Sequence, residues 1–169
     1  VTAATPAAAQ QTSTVYSHNR YYVGASGIAA FITGDNASNT DPSIGIAARA
    51  GGRIHEYVAL EVNGEWNDRF DYDGDGHLTA WAAMGSAKGF LLTGRIQPYG
   101  ILSAGVIQVR QMGGGSATAD LGFAARGGFG VDYYLTRDMA LSFTATYTRP
   151  VGDPDDYDFV SLNWGILWY

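Results

Sequence analysis

The sequence predicts an all-β fold, an eight-stranded antiparallel up-and-down β-barrel, and three observations carry that prediction. The first is composition: 169 residues hold 23 Gly, 46% hydrophobic and only 15% charged residues, which fits neither a disordered chain nor an ordinary helical globule. The second is an alternation of apolar with small or polar residues that recurs from Tyr21 onward, the two-residue period of a strand with unlike faces. The third is that the connections between these runs are short and long in turn, as in a meander whose tight turns all lie at one end. The length suits a single domain. Every apolar run is interrupted long before the ~18 residues a membrane-spanning helix needs. A net charge of -6, with the ten Lys and Arg scattered singly, offers no basic surface to a nucleic-acid backbone. The lack of cysteine removes disulfides, thiolate metal sites and cysteine nucleophiles.

Taken in order, residues 1–18 are expected to form a flexible N-terminal segment, rich in Ala, Thr and Gln, and the barrel is expected over 19–169. Ala7, Ala8 and Ala9 before Gln10 resemble the small residues of an export cleavage site. The predicted strands are 20–32, 43–53, 57–67, 79–89, 95–110, 119–134, 139–149 and 158–168. In the second, Ile44, Ile46, Ala48 and Ala50 share one face, while Arg49 and Arg53 share the other. The third repeats this with Val58, Leu60, Val62 and Trp66 against Glu61 and Glu65. A hairpin closed over Ile54, His55 and Glu56 would set Ala50 against Leu60, Ala48 against Val62 and Arg49 against Glu61. The sixth and seventh strands alternate likewise, and closing them over Thr136, Arg137 and Asp138 puts apolar opposite apolar. Connections near 54–56, 90–94 and 135–138 read as tight turns. Those at 33–42, 68–78, 111–118 and 150–157 read as longer polar loops.

The two faces predict the surroundings of the barrel. The charged parity is interleaved with Gly, Ala, Ser and Thr, too small to build a dense apolar core but able to leave room for charged side chains. The other parity is apolar for about ten residues at a time, the span of a tilted strand in a bilayer. A transmembrane barrel is therefore expected, with a soluble lipocalin-like binder of reversed faces as the alternative. Tyr21, Tyr22, Tyr57, Trp66, Trp81, Phe90, Tyr99, Tyr133, Tyr134, Tyr147, Trp168 and Tyr169 lie mostly near strand ends, which reads as two interfacial girdles.

Several stretches then resemble a known group. They are Tyr21-Tyr22-Val23-Gly24-Ala25, the Ile46 to Gly51 run with its partner strand at Glu61, Gln97-Pro98-Tyr99, Gly128 to Tyr134, and the last strand Val160 to Tyr169. In these the chain is similar to small eight-stranded bacterial outer-membrane barrels of the OmpA/OmpX and opacity-protein type. The resemblance implies an outer-membrane location with periplasmic termini. It also implies lipid and lipopolysaccharide as neighbours, and the outer-membrane assembly machinery as a partner that reads an aromatic C-terminal signal at Trp164, Trp168 and Tyr169. In this sequence Trp164 and Trp168 share the apolar parity while Tyr169 falls on the other face.

An eight-stranded barrel is just wide enough to be filled by side chains. Arg49, Glu61, Glu65, Lys88 and Arg126 are expected to form a polar network inside it, with Gln97 or Asp132 nearby, since charges buried unpaired would cost several kcal/mol each. An ion path through that network is the channel alternative. In the loop Asp71-Tyr72-Asp73-Gly74-Asp75-Gly76, alternate carboxylates followed by Gly match the first half of a calcium loop. Asp71, Asp73 and Asp75 are the candidate ligands, for weak Ca2+ binding at most, because Ala82 stands where the bidentate Glu belongs. Beyond this no cofactor is expected. His18, His55 and His77 do not share a strand face, and Ser17 and His18 alternate faces, so no enzyme is expected. The functional expectation is a structural or surface-interaction protein whose loops contact partners. Small outer-face residues such as Ala48, Ala50, Ala125 and Gly127 leave room for lateral protein contacts.

Overall fold

Every strand of the chain pairs with the next one in sequence, and the last pairs with the first, closing an antiparallel barrel. The computed structural model describes residues 16, 20–33, 42–71, 77–113, 116–151 and 158–169. The strands are β1 Tyr21–Ile32, β2 Ser43–His55, β3 Val58–Asp71, β4 His77–Phe90, β5 Ile96–Gly113, β6 Ser116–Tyr134, β7 Met139–Val151 and β8 Phe159–Trp168. Closure leaves no unpaired edge among the described strands, which matters where lipid cannot hydrogen-bond a free N–H or C=O. The β2–β3, β4–β5 and β6–β7 connections, together with the start of β1 and the end of β8, define a turn end. The other connections define a loop end.

Three expectations are corrected. The first concerns the β2–β3 hairpin, which turns at Glu56 and Tyr57 and shifts register between Arg53 and His55. A two-residue turn with a bulge replaces the three-residue turn and slides the pairing by two positions. Ala50 therefore meets Val62, Gly51 meets Glu61, and Arg49 meets Asn63 rather than Glu61. Because the strand period is two, each side chain keeps its face. The second concerns the loops at 68–78 and 111–118, whose described residues are strand: Phe70 pairs with Leu78, and Gln111 with Thr118. Beyond the apolar band the backbone still satisfies its hydrogen bonds by continuing the ladder, whatever the polarity of the side chains. The β6–β7 hairpin has the register read from its sequence, with Tyr134 opposite Ala140.

Burial alternates along β1 and along β2 from Ser43 to Ala50, before the bulge. Outward residues include Leu102, Phe123 and Phe129, each 72% exposed, and Ile44 at 73%. An apolar surface this extensive exceeds what water-soluble monomers carry, and hydrocarbon is its matching solvent. The third correction concerns the aromatics. Tyr21 points outward and Tyr22 inward, and Tyr22, Phe90, Tyr99 and Tyr134 are all buried in the lumen instead of joining a girdle. Alternation dictates this, since neighbours in a strand take opposite faces. Tyr57, Trp66, Trp81, Tyr147 and Trp168 remain outside.

Candidate functional site

Inward side chains stack in layers along the lumen. At the loop end Ile28, Met84, Ile107, Val109 and Phe159 pack with small alanines into an apolar layer. At the turn end Tyr22, Phe90, Tyr99, Ile101, Tyr134 and Leu167 form a second, mostly aromatic one. The charged residues Arg49, Glu61, Glu65, Lys88 and Arg126, all buried, lie on strand positions between or beside these layers. Small inward residues open the room they need. A Cβ on Gly51 would come within 2.8 Å of the Tyr22 ring, and one on Gly130 within 2.6 Å of Tyr99.

The charges pair across the lumen. Lys88 Nζ stands 2.9 Å from Glu61 Oε2, with both side chains essentially inaccessible, and the Tyr22 hydroxyl donates to the same oxygen at 2.9 Å. The ammonium also lies 4.7 Å from the centroid of Tyr99, whose own hydroxyl bonds Thr144 at 2.7 Å. Arg126 grips Glu65 with both terminal nitrogens, Nη2 to Oε2 at 2.7 Å and Nη1 to Oε1, and its Nε donates to Thr148 at 2.8 Å. This is the planar two-bond match of guanidinium and carboxylate, the strongest form such a pair takes. Arg49 forms no direct ion pair among the described residues and donates to Ser26 Oγ at 3.1 Å. Asp132 is fully buried, between Gln97 and Ser142 in the strand register.

A cluster at the turn-end mouth had only half its signal in the sequence. Arg53 has the same inward parity as Arg49, but its partners lie far along the chain. It donates to Gln97 Oε1 at 2.5 Å and to the Tyr16 carbonyl at 3.0 Å, and covers the Phe90 ring at 3.9 Å. Tyr16 belongs to the N-terminal segment, and its ring lies 5.1 Å from Tyr134. Tyr134 in turn stacks on Tyr169 at 5.3 Å, and Tyr169 on Tyr22 at 5.2 Å. Four tyrosines, from the N-terminal segment, β1, β6 and the C-terminus, thus meet across the mouth. Of the C-terminal aromatics, Trp164 and Trp168 face outward at 48% and 45% exposure, while Tyr169 turns into the lumen.

Asp73 and Asp75 of the calcium-like loop lie outside the described residues, and Asp71 enters only as the final backbone position of β3. Among the described residues no three His, Asp or Glu side chains converge as metal ligands. His18 is likewise outside the described residues, and His55 is exposed at the β2–β3 turn beside Tyr57.

The chain is matched over residues 1–168 by the family model for the outer membrane protein beta-barrel domain. Among solved structures it is similar to Neisserial surface protein A, at 16% identity and a TM-score of 0.75, covering 88% of this chain and 96% of that one. The attachment invasion locus protein Ail of Yersinia pestis is similar at 11% identity and a TM-score of 0.66, covering 89% and 97%. OprG of Pseudomonas aeruginosa is similar at 12% identity and a TM-score of 0.61, covering 90% and 97%. No curated protein sequence matches the chain. At these identities the structural neighbours speak for the fold, and the family model covers nearly the whole length: the chain belongs to the outer membrane protein beta-barrel domain family.

Proposed function

We propose that this outer-membrane barrel is a non-conducting structural and surface-interaction protein, with the turn end periplasmic and the loop end outside. The carrying observation is how its charge is divided. Inside, Lys88 pairs with Glu61 at the height of the turn-end layer and Arg126 with Glu65 at that of the loop-end layer, so these charges neutralise one another within a packed lumen, an arrangement that supports closure rather than a hydrated path. At the loop end, residues 33–42, 68–76, 110–120 and 149–158 hold eleven Asp against three Arg. The excess negative charge of the whole protein is therefore carried by the segments that join the strands at this end. Such a surface attracts cationic partners and repels polyanions, an effect that salt weakens.

Ail of Yersinia pestis, similar in fold, has been solved in complex with the heparin analogue sucrose octasulfate. The acidic loop end of the present chain argues for the opposite preference. Divalent cations, with the Asp71, Asp73 and Asp75 loop as their holding place, would let it sit among lipopolysaccharide phosphates. The test is binding of oligolysine and of sucrose octasulfate to the purified barrel in detergent. Oligolysine is expected to bind and to be released by salt, and sucrose octasulfate to bind at least about tenfold more weakly; preferential binding of the octasulfate would overturn the reading.

The channel reading is supported only by the presence of charged groups in the lumen. In planar bilayers the protein is expected to show no stable open state. A steady single-channel current would mean that the ion pairs part and that the barrel is a small-solute channel.

A further inference from the structure

At the turn end, the β4–β5 connection carries two adjacent leucines outward, Leu91 at 74% and Leu92 at 56% exposure. Turns that face water are built from Gly, Asn, Asp, Ser and Pro, so this one is made for contact with something apolar. Ile96, 55% exposed, and Leu135, 38% exposed, extend the patch. They are held beside it by hydrogen bonds from Leu91 N–H to the Pro98 carbonyl and from Tyr134 N–H to the Arg95 carbonyl, each 2.9 Å.

Arg95 stands in the middle of this patch. It is exposed and has no acidic partner among the described residues, whereas Arg20 at the same end is paired with Asp138 at 2.8 Å. Its guanidinium is nevertheless fixed in place. The Nε donates to the Tyr134 carbonyl at 2.9 Å, and the group lies 5.2 Å from the ring centroid of Tyr133, which sits opposite Ile96 in the ladder. The two terminal nitrogens remain as a pre-oriented pair of donors without partners among the described residues, the geometry that matches a phosphate. Outward Tyr21, Tyr57 and Trp168 lie near the same end of the barrel, where aromatic rings mark the membrane boundary.

We propose that Arg95, braced by Tyr133 and Tyr134, binds the phosphate of an anionic phospholipid in the turn-end leaflet, with the acyl chains lying over Leu91, Leu92 and Ile96. The cation supplies charge complementarity for the headgroup, and the surrounding apolar residues select a lipid over a water-soluble phosphate. A soluble anion would gain the donor pair but leave the leucines uncovered. This assignment does not depend on what the loops contact.

Native mass spectrometry of the full chain, extracted in neutral detergent and titrated with phosphatidylglycerol, phosphatidylcholine or inorganic phosphate, tests it. Phosphatidylglycerol is expected to stay bound in preference to phosphatidylcholine. Arg95→Gln is expected to cut that retention about tenfold, while Arg110→Gln at the loop end leaves it unchanged. Unboiled gel mobility checks that each variant is a closed barrel. If Arg95→Gln does not close, Leu92→Ser carries the test, because it weakens retention of a lipid and not of a soluble anion. Equal retention by Arg95→Gln, equal retention of both lipids, or displacement of phosphatidylglycerol by inorganic phosphate overturns the proposal.

Discussion

Replacing Glu65 by alanine is expected to destabilise the barrel by about 3–5 kcal/mol, the usual cost of removing one member of a buried ion pair. The reason lies in what is left behind. Arg126 is 4% exposed, and without Glu65 it keeps, among the described residues, only the Thr148 hydroxyl as a side-chain partner. A guanidinium carries its charge at any accessible pH and cannot escape by losing a proton. Changing both partners, Glu65→Leu with Arg126→Met, removes the charge together with its counter-charge and is expected to cost much less than the single change. Urea unfolding of the protein refolded into lipid vesicles reads both values. A Glu65→Ala loss below about 1 kcal/mol would show that water reaches Arg126, and the closed-lumen reading would fall with it.

Gly165→Val is expected to stop the barrel from closing. Gly165 faces Ser26 across the β1–β8 seam, where the end of the chain must find its beginning. A Cβ there would run into the Ala25 carbonyl and come within 2.5 Å of Ser26 Cβ and 2.7 Å of its Cα. These are backbone atoms and the root of a side chain, held by the ladder, so no rotamer change relieves the overlap. The expected loss is about 3 kcal/mol or more, at the top of the range for overpacking. With the seam forced apart, β1 and β8 become unpaired edges in lipid. The variant should show no compact unboiled band on a detergent gel. Gly64→Ala supplies the contrast, because a Cβ at Gly64 meets nothing within 4 Å, and it should close as the parent does. A normal heat-sensitive band for Gly165→Val would mean that the seam has slack or lies elsewhere.

Much of this architecture is legible in single residues. Arg49 and Arg53 share a parity with Gly51, and that parity faces the lumen; Ile44 and Ile46 share the other and face outward. The turn at Thr136 to Asp138 can be counted from its flanking strands, and the count holds. The same counting fails by two residues at β2–β3, since a bulge at Ile54 leaves no mark that distinguishes it from a longer turn. It also fails at Tyr22, Phe90, Tyr99 and Tyr134, where position near a strand end suggested a girdle while the alternation already assigned the lumen. The five charged residues can be read as inward-facing. That Arg126 takes Glu65, 61 residues away, while Arg49 takes Ser26, cannot be read.

The division has one physical cause. What is periodic and local is written into each stretch of the chain: eight strands, the face each side chain takes, the end at which each connection lies, and the apolar exterior that makes lipid the solvent. Those follow from a two-residue repeat that every strand carries within itself. Register and height emerge only when the strands close on one another: how far each strand is slid against the next, where the ladder continues past the apolar band, and so which charges meet across the lumen. Pairing across a barrel depends on the accumulated slide of all the strands between two residues, a sum over turns and bulges that no single stretch of the chain contains.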